Sequence, residues 1–244
     1  LIGKIAKKHD LIFIVDNCFA TPYVQQPIKF GADLVIHSAT KLIDGQGRVL
    51  GGITVGNKEL MREGNKIMFA GNIGEAQSFK TIINAINNVK ELPVKVIVLG
   101  DGRYKETALN LIKEKGLESH FNFLGSFPST EMPKFFSHAD ALLVSLKKEK
   151  IFSLTIPAKI QSYLACGKPI IASIDGEGAK IVNDANCGVT SPAEDSLALS
   201  KKIKELIALD KSKHSEMGNN GRAYYEKEFD RNNLLEKLES IFKS

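Results

Sequence analysis

The sequence has few of the residues and patterns that mark several large classes of protein. Three cysteines, Cys18, Cys166 and Cys187, are scattered over 244 residues, too few and too widely spaced for a disulfide framework or a zinc site. A reducing cytoplasm is therefore the expected compartment. The apolar runs all fall short of the roughly 20 residues that span a bilayer. The N-terminus LIGKIAKKHD lacks the charged and then apolar order of a signal peptide.

The chain also lacks a concentrated run of basic residues. Its 33 lysines and arginines exceed its 28 acidic residues by five, which favours an anionic small molecule or a membrane surface as partner and does not favour a nucleic acid. There is no repeat at solenoid spacing, no low-complexity segment and no signal for an oligomeric state. The length allows one large domain or two modest ones.

What the chain does contain is an alternation of short β-branched runs with longer helical patterns, which is typical of α/β units with parallel strands. The predicted strands are LIFIVD (11–16), DLVIHS (33–38), GGITVG (51–56), KIMFAG (66–71), VKVIVLG (94–100), FNFLG (121–125), ALLVSL (141–146) and PIIASI (169–174). Helical patterns include EAQSFKTIINAINNVKE, KETALNLIKEKG, SLALSKKIKELIALD and NLLEKLESIFKS. The polar stretch KELMREGNK breaks at Gly64, which predicts a domain boundary between residues 1–64 and 65–244.

A carboxylate and a lysine stand at the ends of two predicted strands in the first part. Asp16 ends LIFIVD, and Lys41 follows the second strand in SATK. Strand ends of the same sense in a parallel sheet face one crevice, where ligands bind. A pyridine-type cofactor needs this pair, because the lysine forms a Schiff base and the aspartate keeps the ring nitrogen protonated. Ser38 and Thr40 would add hydroxyl groups for a phosphate. A solvated lysine is the alternative interpretation.

The stretch VDNCFATPYVQQPIKFGADLVIHSATKLIDGQGRVLGG closely resembles the pyridoxal-phosphate enzymes of cysteine and methionine metabolism, most nearly O-succinylhomoserine sulfhydrylases and cystathionine synthases. The resemblance covers about residues 1–63. It implies that Lys41 is the Schiff-base lysine, Asp16 the partner of the ring nitrogen, and Ser38 and Thr40 phosphate contacts. Only a central slice of those enzymes is present, without the phosphate-binding glycine turn or the stacking tyrosine. We therefore expect pyridoxal phosphate to be held weakly at most.

Two glycine-rich turns follow predicted strands in the second part. KIMFAG runs into Gly71-Asn72-Ile73-Gly74, and IASIDGEGAKIV places Gly176-Glu177-Gly178 at a helix start. Such turns let backbone N–H groups at a helix N-terminus approach a diphosphate. A plain β–α turn is the commoner explanation of one such turn alone, and two of them at strand ends of one sheet make a better case for a diphosphate than either does by itself.

Between these turns, TIPAKIQSYLACGKP predicts a helix with Pro157 in its first turn and an apolar stripe of Ile160, Tyr163 and Leu164 that packs in the core. Lys159 lies off this stripe near the helix start. A cation there opposes the helix dipole and needs an outside reason. A bound diphosphate is such a reason, and a solvated lysine is the alternative.

These segments, with VKVIVLGDG and FNFLGSFPSTEMPKFFSHADALLVSL, look like the C-terminal half of retaining GT-B glycosyltransferases of family 4, of the bacterial surface-polysaccharide group that includes N-acetylfucosaminyl transferases. The resemblance covers about residues 65–244. It implies a Rossmann-like parallel sheet with flanking helices, a nucleoside-diphosphate sugar as ligand, no metal or other cofactor, and a place at the inner membrane face with peripheral membrane contact. The implied contacts with the sugar donor are Gly71, Asn72, Gly74, Lys159, Ser162, Gly176, Glu177 and Gly178.

The chain departs from that family at three positions. Ser162 and Leu154 stand where family members carry two glutamates, and Gln77 stands where many carry a lysine, which leaves Lys159 as the main cation. The acceptor-binding domain of a GT-B enzyme has no counterpart, so we expect binding of the sugar donor without complete catalysis. A fragment of a pyridoxal-phosphate enzyme and an inactive chimera, natural, engineered or artefactual, are the alternatives.

Overall fold

The computed structural model describes residues 2–9, 11–38, 52–56 and 65–243. The chain divides into two compact units, Leu1–Glu63 and Gly64–Ser244. Within the described ranges, no helix combines the length and the apolar character needed to cross a membrane.

The described residues of the first unit form a three-stranded sheet and one helix. Its elements are α1 (Ile2–Lys8), β1 (Ile14–Asp16), a 3-10 turn (Pro27–Phe30), β2 (Leu34–Ser38) and β3 (Gly52–Gly56). β1 pairs with β2 in parallel, as predicted, whereas β3 pairs with β2 in the antiparallel sense, with Leu34 opposite Gly56. The prediction of parallel strands is therefore wrong for β3, because a run of β-branched residues does not show the direction in which it pairs.

The second unit is built on one six-stranded parallel sheet. Its strands are β4 (Asn65–Ala70), β5 (Val94–Leu99), β6 (Phe121–Gly125), β7 (Ala141–Ser145), β8 (Ile170–Ser173) and β9 (Gly188–Ser191). They lie in the order β6-β5-β4-β7-β8-β9, so the direction of winding reverses between β4 and β7. In open α/β sheets, ligands bind at the carboxyl ends of the strands at such a reversal.

Helices cover both faces of this sheet. They are α2 (Phe79–Asn87), α3 (Lys105–Glu114), α4 (Met132–Ser137), α5 (Lys150–Ser153), α6 (Ala158–Ala165), α7 (Glu177–Asp184), α8 (Ser196–Ala208), α9 (Lys211–Glu228) and α10 (Arg231–Lys243). Because side chains alternate along a strand, Leu143 joins the core under α2, α3 and α8, while Leu142 joins the core under α4, α6 and α7. The predicted Rossmann-like architecture is confirmed.

Candidate functional site

A cleft of about 820 Å³ lies in the second unit at the carboxyl ends of β4, β5 and β6. The residues that directly follow these strands, Gly71, Gly100 and Ser126, line it, and α6 contributes Lys159 and Ser162. The volume lies within the range of about 300–1,000 Å³ that is usual for small-molecule sites. Its position matches the one expected for a ligand of a doubly wound sheet.

Two glycines bring the ends of β4 and β5 into direct contact. Gly71 and Gly100 have φ angles of +127° and +142°, which side-chain-bearing residues rarely adopt. A Cβ atom on Gly100 would lie 2.0 Å from the carbonyl oxygen of Gly71, and the Gly71 N–H donates to the carbonyl of Leu99 over 2.7 Å. This side of the cleft therefore has a backbone surface that a ligand can approach closely.

Lys159 reaches from α6 across this surface. Its Nζ lies 3.0 Å from the place where a Cβ of Gly71 would stand, and 3.8 Å from the ring centroid of Phe69. Phe69 belongs to the core on the other face of the sheet from α6, so the lysine passes over the end of β4. The glycine at 71 makes this passage sterically available.

The ammonium group of Lys159 is buried and has no hydrogen-bond partner among the described residues. Burial lowers the pKa of Lys159 from 10.5 to about 8, because the charged form has lost its water. The Phe69 ring face offers partial compensation through a cation–π contact. A buried cation without hydrogen bonds is costly, so an anion that bound beside Lys159 would stabilise its charged form.

The turn after β4 differs from its prediction. Asn72 lines the cleft, whereas Gly74 does not: the Gly74 N–H donates to Oε1 of Gln77 over 3.1 Å. A helix was expected directly after Gly74, but a 3-10 turn (Glu75–Gln77) intervenes and Ser78, with φ +45°, precedes α2. The left-handed Ser78 changes the chain direction, so the N-terminus of α2 does not begin at this turn.

The other predicted contacts fall into two groups. Ser162 lines the cleft near Lys159, and its hydroxyl donates to the carbonyl of Ala158 over 3.3 Å. Gly176, Glu177 and Gly178 form the expected start of α7 but do not line this cleft. A Cβ on Gly178 would lie 3.0 Å from Cδ1 of Ile160, so the turn packs under the first turn of α6. The contacts of both groups with a sugar donor stay predictions.

Sequence reasoning missed most of the apolar lining of the cleft. Phe127, Met132 and Phe136 supply apolar surface to it. Asp101 follows β5 and lines the same cleft. The N–H of Gly102 and then the amine of Lys105, 3.1 Å away, hold the pKa of the Asp101 carboxyl below its usual value. Asp101 stands just beyond the end of β5, as Phe127 stands just beyond the end of β6, and this position is the sequence signal that could have identified both as residues of the cleft.

In the first unit, Asp16 and Ser38 end two neighbouring parallel strands, β1 and β2. Asp16 is exposed, and its Oδ1 accepts a hydrogen bond of 3.0 Å from the N–H of Cys18. Thr40 and Lys41 lie outside the described residues. The roles of Asp16, Ser38, Thr40 and Lys41 toward pyridoxal phosphate stay predictions.

Two family models match the chain. The model of the group 1 glycosyl transferases matches residues 56–224, and that of the pyridoxal-phosphate-dependent enzymes of Cys/Met metabolism matches residues 1–97. The first match covers more than half of the chain, which therefore belongs to the group 1 glycosyl transferases. The resemblance of the first part to pyridoxal-phosphate enzymes is also confirmed.

Individual relatives divide in the same way. O-succinylhomoserine sulfhydrylase of Pseudomonas aeruginosa is 56% identical over 62 residues, which are 25% of this chain and 15% of that protein. A glycosyltransferase from Rickettsia africae has a TM-score of 0.64 at 16% identity and covers 75% of this chain and 48% of its own. Anabaena HepE, solved with UDP and glucose, has a TM-score of 0.63 at 20% identity, with 73% and 49% covered. The chain thus spans about half the length of the solved glycosyltransferases and much less of the sulfhydrylase.

Proposed function

We propose that the second unit binds the nucleoside-diphosphate part of a sugar donor in the cleft beside Lys159. The observation that carries this proposal is the buried ammonium group of Lys159 at the carboxyl end of β4, for which the described part of the chain supplies no hydrogen-bond partner. A diphosphate would supply the hydrogen-bond acceptors and the opposite charge that this group lacks. The UDP in the solved structure of Anabaena HepE supports a uridine nucleotide as the first ligand to try.

The rest of the cleft suits the other parts of such a ligand. Apolar side chains that line the cleft, among them Phe127 and Met132, offer a surface for a flat base. Ser162 and Asn72 supply polar groups near the lysine for a ribose or a phosphate. Since the chain spans about half the length of the solved glycosyltransferases, the proposal covers binding of the sugar donor. Transfer to an acceptor would need surfaces beyond this unit.

Isothermal titration of the purified chain with UDP and with GDP tests this proposal. Saturable binding of either nucleotide is the expected result, and Lys159→Met should weaken it at least about tenfold, because hydrogen bonds to charged groups contribute roughly 1.5–3 kcal/mol each. Lys180→Met, which removes an exposed lysine of α7, is the matched control and should bind as the parent chain does. No heat with either nucleotide would reject the proposal.

The first unit gives a second candidate function, because its relatives are pyridoxal-phosphate enzymes. A titration with pyridoxal phosphate in the same series tests it by absorbance. An imine band that is lost in Lys41→Ala would support a retained cofactor site. The exposure of Asp16 leads us to expect no such band.

A further inference from the structure

Strands β4 and β7 separate before either one ends. They pair through Ile67 with Ala141 and Met68 with Leu142, although β4 continues to Ala70 and β7 to Ser145. If the register continued, the N–H of Ala70 would donate to the carbonyl of Leu143, as in any parallel ladder. This backbone bond is absent from the described pairing of the two strands.

The hydroxyl of Tyr163 occupies the place of the missing bond. The N–H of Ala70 donates to Oη of Tyr163 over 3.1 Å, and the same hydroxyl donates to the carbonyl of Leu143 over 3.4 Å. One side-chain group therefore satisfies both backbone groups at the point where the strands part. Each would otherwise be a buried polar group without a partner.

Tyr163 is held firmly in this position. Its side chain is 1% exposed, and its ring packs edge-on against Phe136 with centroids 5.4 Å apart. Burial raises the pKa of the phenol, so the hydroxyl keeps its proton and remains a donor over the physiological pH range. Core packing alone would need only the ring, which a phenylalanine also supplies.

The bridge lies next to the proposed diphosphate contact. Lys159 precedes Tyr163 by four residues on α6, so both side chains leave the same side of the helix one turn apart. The prediction that Lys159 lies off the stripe that contains Tyr163 is therefore wrong. Gly71, over which the lysine passes, directly follows Ala70. The bond from Ala70 to Tyr163 thus ties α6 to the strand end over which the Lys159 ammonium group is buried.

We propose that Tyr163 is a positioning residue whose hydroxyl completes the β4–β7 ladder and thereby fixes α6 so that Lys159 stands over Gly71, ready for a diphosphate. The inference rests on the proposed function for its ligand. The position of the lysine itself can be tested without any ligand. The positioning role goes beyond the predicted role of Tyr163, which is core packing alone.

The test compares Tyr163→Phe with the parent chain by two measurements. The first is the titration of Lys159, followed by NMR of chains with ¹³C-labelled lysine and assigned with Lys159→Met. Without the bridge the ammonium group gains water, and its pKa should rise by about one unit toward the ordinary lysine value. The other titratable side chains that line the cleft are Asp101, Cys166 and Tyr225, and Tyr163→Phe leaves all three in place. The second measurement is UDP affinity, which should fall about tenfold.

Thr81→Val is the matched control, because it also removes a buried hydroxyl. Thr81 lies in α2, away from the cleft, and its hydroxyl is 2.8 Å from that of Ser78, which precedes the helix. It should leave both readouts unchanged.

A folded Tyr163→Phe chain with unchanged lysine titration and unchanged UDP affinity would overturn the inference. If the parent chain binds no nucleotide, the proposed function fails, and the lysine titration alone decides the inference. If Tyr163→Phe does not fold, hydrogen exchange of the parent chain decides: slow exchange of the Ala70 amide supports the bridge, and free exchange rejects it.

Discussion

The two units build their sheets from similar β-branched runs but bury them to very different extents. In the second unit, β7 is buried at all five positions and β8 at all four. In the first unit, β1 is exposed at both ends, and the side chains of Ile53 and Val55 in β3 are 49% and 47% exposed. Helices on both faces of the larger sheet account for the difference, since a chain of about 60 residues cannot cover as large a share of its surface.

This contrast shows that similarity of sequence and completeness of structure are separate properties. The first unit is 56% identical to a sulfhydrylase, but that match covers 15% of the relative, and its proposed cofactor contact Asp16 is exposed. The second unit shares only 16–20% of its residues with the solved glycosyltransferases cited above. It nevertheless has two cores and a defined cleft. A ligand site depends on the buried frame around it, which percent identity does not measure.

Removing one aliphatic side chain from each sheet gives the largest expected difference. Leu142→Ala empties a fully buried position of β7 and should cost about 3 kcal/mol of unfolding free energy, or about 6–12 °C in the main melting transition. Ile36→Ala in β2, where the side chain is 40% exposed, should cost about 1 kcal/mol or less. Thermal melting followed by circular dichroism measures both. Equal shifts would break the comparison, because they would mean that the two sheets share one cooperative core.

Sequence reasoning located the strands better than it located the helices. Runs such as ALLVSL stand out because their first five residues are all buried. By contrast, β9 (Gly188–Ser191) is short and α9 (Lys211–Glu228) has no clear apolar stripe. The reason in α9 is packing through backbone: a Cβ on Gly218 would lie 2.2 Å from the carbonyl oxygen of Gly167. A helix that contacts its neighbour through glycine needs few apolar side chains, so its periodicity is weak.

The same limit applies to the candidate site. Lys159 was predicted from its unfavourable position near a helix start, which is a local property that sequence shows. Tyr163 was assigned to the core by its spacing, correctly, but spacing does not show that its hydroxyl meets Ala70 and Leu143. Contacts between distant segments depend on the sheet register, which a single sequence does not contain.

Two glycine substitutions sharpen the comparison within the second unit. Gly71→Ala should cost roughly 2–3 kcal/mol and abolish measurable UDP binding, because its φ of +127° strains the backbone and the new Cβ would lie 2.7 Å from Cε of Lys159. Gly116→Ala is the matched control, since Gly116 also has a positive φ, +64°, but has open space around it. It should cost about 1 kcal/mol and leave binding intact. Urea unfolding and nucleotide titration give the two readouts, and equal losses of binding would contradict the role of Gly71.

Lys159→Met tests whether the cleft holds a charge at the expense of stability. A pKa lowered from 10.5 to about 8 corresponds to roughly 3 kcal/mol of unfavourable burial. We expect Lys159→Met to raise the unfolding free energy by about 2 kcal/mol at pH 7, less than the full burial cost, because the substitution also loses the contact with Phe69. Lys180→Met, at an exposed position of α7, should change the unfolding free energy by less than about 0.5 kcal/mol.

The pH dependence distinguishes this cause from a general packing effect. The range from pH 8 to 10.5 lies between the folded pKa of Lys159 and the ordinary lysine value. In this range the unfolded chain binds the proton that the folded chain has released. The unfolding free energy of the parent chain should therefore rise with pH. Below pH 8 both states are protonated and the burial cost is fully present. The advantage of Lys159→Met should therefore be constant below pH 8 and disappear near pH 10.5. Urea unfolding from pH 7 to 10.5 measures it, and parallel curves for the two chains would show that the Lys159 ammonium group is not held out of water.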